Sequence, residues 1–152
     1  MRRTAFPIVL ALLSAVSLPA KADTQLDRFE ALSEQVTTVM NEAMILEVPA
    51  LEGNLPTADW DDEMRGAFTC VLEDYRAAVG DDAINTMLDE MEATLPDMTA
   101  EAMMSGEMNE RFDLPDGLTE ARAAEIVRNC GVMTLYMTRM MDSGAAEILA
   151  AQ

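Results

Sequence analysis

Between Trp60 and Val79, apolar side chains recur at spacings of three and four: Trp60, Met64, Ala67, Phe68, Val71, Leu72, Tyr75 and Val79. A helix turning 100° per residue gathers them into one stripe, whereas a strand would scatter them over both faces. The pattern predicts a helix over 58–79. Thr57 or Asp59 would be its N-cap, Asp61, Asp62 and Glu63 would lie at the positive end of its dipole, and Gly80 would form a left-handed C-cap. Asp81 would then cap a helix over 82–95 that turns Ile84, Met87, Leu88, Met91 and Leu95 inward and stops at Pro96. With one glycine between them, the two should form a tight hairpin.

The remainder reads the same way. Leu26, Phe29, Leu32, Val36, Val39, Met40 and Ala43 predict a helix over 24–46. Pro49, Gly53 and Pro56 break the following segment, in which Val48, Leu51 and Leu55 should lie across the helices. A poorer helix over 99–110 starts at Thr99, and 112–117 form a turn. Thr119 opens a last long helix, 120–142, with Ala123, Ile126, Val127, Cys130, Met133, Thr134, Met137, Met140 and Met141 inward. Gly144 ends it, before a short tail helix. Alternating apolar patterns and β-branched clusters are nearly absent. The fold class is therefore all-α, a small four- to five-helix bundle forming a single domain over 23–152.

The first 22 residues differ from the rest. Arg2 and Arg3 precede an apolar run from Phe6 to Leu18, and Ala20-Lys21-Ala22 has the form of a cleavage site. Residues 1–22 thus read as a cleavable signal peptide, with a retained anchor helix as the lesser alternative. The run is too short to favour a membrane span, so no membrane insertion is expected after cleavage. The destination would be the bacterial periplasm or the exterior.

Cleavage sharpens the charge. All 28 acids follow residue 22, and loss of Arg2, Arg3 and Lys21 leaves seven bases, all arginine, for a net charge of −21. That surplus excludes a nucleic-acid binder, which needs surplus lysine and arginine. It serves solubility and favours basic partners.

Cys70 and Cys130 both remain after cleavage. In an oxidising compartment, two cysteines in a small domain usually pair. A disulfide between the second helix and the last would stabilise the fold by about 4 kcal/mol in the chain-entropy model. A redox-active pair has no support, because there is no C-x-x-C spacing and no basic neighbour.

Several chemistries are excluded. With no histidine, neither Ser-His-Asp nor Cys-His catalysis can run. Beyond Lys21 there is no lysine for Schiff-base chemistry or a P-loop. Carboxylate pairs arise by chance among 28 acids, and the aromatic lining typical of sugar clefts is sparse. The stretch beginning at Asp59 starts like a calcium loop, but Met64 and Cys70 stand where glycine and glutamate are needed. No cofactor, metal site or enzymatic activity is expected.

Methionine is the unusual excess, with 13 of 14 remaining after cleavage. Those at 84–95 and 126–141 fit core stripes. Met98, Met103, Met104 and Met108 share no single face, which makes them the candidate interaction surface. The leading reading is an exported, non-enzymatic helical module that binds another protein, with basic partners favoured. A holdase-like chaperone is a variant of it. The alternative is a soft-metal protein that holds Cu(I) or Ag(I) through the same methionines.

Overall fold

A computed structural model of the chain describes the backbone of residues 20–105 and 114–152, and side chains from residue 24 onward. Every regular element among them is helical: α1 (Ala20–Glu47), α2 (Asp62–Val79), α3 (Asp81–Thr94), α4 (Ala100–Met104), α5 (Glu120–Asn129), α6 (Val132–Asp142) and α7 (Ala145–Ala150). Three-residue 3-10 turns lie at Pro49–Leu51 and Leu95–Asp97. The all-helical class is as the sequence indicates, but seven helices among the described residues replace the expected four or five. The proposed leader, 1–22, lies outside the described residues apart from the backbone of Ala20–Ala22 at the start of α1.

α1 packs against α2, α3 and α4, and α2 also meets α5 and α6. Between them lie Leu26 and Leu32 of α1, Val71, Leu72 and Tyr75 of α2, Ile84 and Leu88 of α3, Ile126 of α5 and Val132 of α6. Leu51, on the first 3-10 turn, is fully buried, so that connection does lie across the helices. A polar clamp joins three of them. Buried Gln25 on α1 donates to Asn85 Oδ1 (2.9 Å) on α3 and accepts from Arg76 Nη2 (2.8 Å) on α2. Arg76 Nε in turn reaches Asp81 Oδ1 at 2.7 Å. The clamp satisfies a buried amide that would otherwise oppose folding.

Several boundaries differ from expectation: α1 begins at Ala20 rather than residue 24, α4 ends at Met104 short of the expected 110, and three others have a local reason. α2 starts four residues late. Its cap is Asp61, whose carboxylate accepts from Met64 N at 2.9 Å, rather than Thr57 or Asp59, and Trp60 stays in the preceding loop. Asp81 does not cap α3, because its carboxylate is engaged by Arg76. The hairpin instead turns on Gly80 at φ +87° and ψ 167°, a region essentially closed to any residue with a Cβ. Finally, the long helix expected over 120–142 is broken. Cys130 ends α5, Gly131 adopts the left-handed conformation (φ +76°, ψ 5°), and α6 begins at Val132.

Candidate binding cleft

The break at Gly131 decides which methionines meet solvent. Continued from Ile126, an unbroken helix would turn Met133, Met137 and Met141 into the core. In α6 the inward residues are instead Val132, Tyr136, Arg139 and Met140. Met133, Met137 and Met141 are 56, 55 and 58% exposed, which corrects their assignment to the core.

The candidate interaction segment is divided by the fold. Met98 is 5% exposed, because the Pro96 turn carries it under α1, beside Val39, Ile45 and Leu46. Met103 is half-buried, Met104 is 53% exposed, and Met108 lies outside the described residues. The four expected interaction residues therefore do not form one exposed surface among the described residues. Thr99 does cap α4, accepting from Ala102 N.

The methionine-lined feature lies elsewhere, between α1 and α6. A cavity of about 300 Å³ is walled by Phe29, Val36 and Met40 of α1, Tyr75 of α2, Met87 and Met91 of α3, Leu114 and Tyr136. A second, of about 130 Å³, is walled by Met40, Asn41 and Met44 of α1, Pro56 to Ala58, Trp60, Met64, and Tyr136, Arg139 and Met140 of α6. Thr37, Met40 and Tyr136 border both, so the two form one cleft along α1.

The loop closing the smaller cavity is held by two hydrogen bonds. Asn41 Nδ2 donates to Pro56 O (3.0 Å), and Trp60 N donates to Glu34 Oε1 (2.9 Å). Trp60 stacks on Phe68 with ring centroids 4.5 Å apart, and Phe29 meets both edge-on. Such aromatic contacts stiffen one wall.

The cleft carries little charge. Arg139 is the charged lining group among the described residues. Its side chain is only 15% exposed, and Nη2 lies 2.5 Å from Asp61 Oδ1 without hydrogen-bond alignment, so the contact is an ion pair. The Asp61 carboxyl is held below its ordinary range by the Met64 N–H and then by the Arg139 guanidinium. Burial pushes both tyrosine phenols up, that of Tyr136 against the opposing pull of a Thr37 hydrogen bond and of Arg139. Both are therefore neutral near pH 7 and can donate a hydrogen bond.

Cys70 and Cys130 are bonded to each other, with their Cα atoms 5.7 Å apart. Asp74, one turn beyond Cys70, brings a carboxylate oxygen to within 4.8 Å of both sulfurs. With the sulfurs joined they are not thiolate ligands, and an adjacent anion disfavours thiolate formation.

No helix among the described residues is long and apolar enough to cross a membrane. No family model, characterised protein or solved structure matches the chain.

Proposed function

We propose that the chain is an exported, non-enzymatic helical module, periplasmic or secreted, that holds a basic, amphipathic segment of another protein in the cleft between α1 and α6. The observation that carries the reading is the cleft lining, with Met40, Met44, Met87, Met91 and Met140 around apolar walls. Unbranched thioethers repack around differing side chains, which suits an apolar groove of broad tolerance. Charge selects the partner. The chain has 28 acids against 10 bases, and Arg28, Arg65, Arg76, Arg122 and Arg139 are each paired with a carboxylate. The unbalanced charge is thus negative, which steers and retains a cationic segment.

Trp60, the single tryptophan, lines the smaller cavity and reports occupancy. A tryptophan-free helical peptide of leucine and lysine should change its fluorescence and bind more weakly as salt rises. Met40→Gln, at a position 44% exposed, should leave the fold intact and weaken binding about tenfold by removing a thioether that the bound segment would cover. Peptide binding insensitive to both salt and this substitution would refute the reading. Cu(I) capture against a competing chelator, lost in the same variant, would replace it with a soft-metal reading in which the cleft methionines, rather than Met98, Met103, Met104 and Met108, hold the ion.

A further inference from the structure

We infer that the outer face of α6 is a site of two-electron oxidation, a methionine stripe that consumes hypohalous acid or peroxide without disturbing the fold. The inference does not rest on the cleft reading. Met133, Met137 and Met141 stand one turn apart and are each more than half exposed. Counted at 100° per residue, they lie between about 100° and 180° around α6 from buried Val132. Added oxygen on these sulfurs therefore points into water. The same change at Met64, Met87 or Met98, all nearly buried, would place a polar group in the interior.

The rest of the composition leaves these thioethers few competitors. Oxidants of this class react readily with thiols, imidazoles and amines as well as thioethers. Both cysteines are tied in the disulfide, the chain has no histidine, and its one lysine is Lys21. The exposed methionines are left as the chain's principal reactive side chains.

The step balances. The thioether sulfur attacks the chlorine of hypochlorous acid, forming S–Cl and releasing hydroxide. Water then adds to sulfur and chloride leaves, giving the sulfoxide, one net proton and chloride. Sulfur loses two electrons and chlorine gains them. With a peroxide, one oxygen passes to sulfur and water or an alcohol leaves.

The test treats the folded, full chain with increasing equivalents of hypochlorous acid and maps oxygen addition by peptide mass spectrometry. Met133, Met137 and Met141, with Met104, should oxidise about tenfold faster than Met64, Met87 and Met98, following accessibility. Far-ultraviolet circular dichroism and the thermal midpoint should be unchanged after the stripe is oxidised. The variant M133L/M137L/M141L should fold equally well yet let a bystander methionine peptide oxidise at a lower oxidant dose. The inference is overturned by equal early oxidation of exposed and buried sulfurs, by a fall in midpoint once the stripe is oxidised, or by equal bystander protection from the variant.

Discussion

Asp61 does two jobs that its place in an acidic run conceals. Its carboxylate caps α2, and it faces the largely buried guanidinium of Arg139, tying the start of α2 to α6. Because its pKa is depressed in the folded chain, its contribution is present above the unfolded carboxyl value and is lost as pH falls through the folded one. Asp61→Asn keeps a capping oxygen but removes the charge. The urea midpoint of wild type should exceed that of the asparagine variant at neutral pH, and the gap should close below about pH 4. A gap unchanged into acid would mean that the charge contributes nothing.

At the level of helices, Gly131 is the residue that matters most. It resets the rotation of α6 relative to α5, turning Tyr136, Arg139 and Met140 toward α1 and the methionine stripe outward. Its left-handed backbone is strained for any side chain, although nothing lies within 4 Å of where a Cβ would project. Gly131→Ala should therefore cost about 1–2 kcal/mol in denaturant unfolding from backbone strain alone. An unchanged stability would show that the chain can straighten through this point. The aperiodic look of 98–104 likewise has a structural cause: a 3-10 turn at Pro96 followed by a five-residue helix breaks any continuous face.

Across the whole molecule, the disulfide joins the middle of α2 to the end of α5 across a separation of 60 residues. Replacing both cysteines by alanine should remove about 4 kcal/mol of stability in the chain-entropy model. Helical circular dichroism should persist under native conditions, because the core of α1, α2 and α3 is built from Leu26, Leu72, Ile84 and Leu88 rather than from sulfur. A loss well under this figure would indicate that the unfolded chain is already compact. The ion pairs add less. Arg28 with Asp89 and Glu92, and Arg65 with Asp27 and Glu30, link helices at the surface, where water screens them.

Helical class, the α2–α3 hairpin at Gly80, the Thr99 and Thr119 caps and the inward stripe of α3 were legible from residue order, because each depends on neighbours within four positions. The cysteine pairing was legible too, since two cysteines in a small domain leave one partner each. The cleft was not. It is assembled from α1, α2, α3, α6 and two loops, and its shape depends on how far α6 is rotated after Gly131. Periodicity alone implies an unbroken helix, which puts Met133, Met137 and Met141 inside and leaves Met98 as a surface candidate. Local spacing specifies a helix and its stripe. Which neighbour a stripe meets, and which methionines remain in water, depends on packing between residues far apart in the chain.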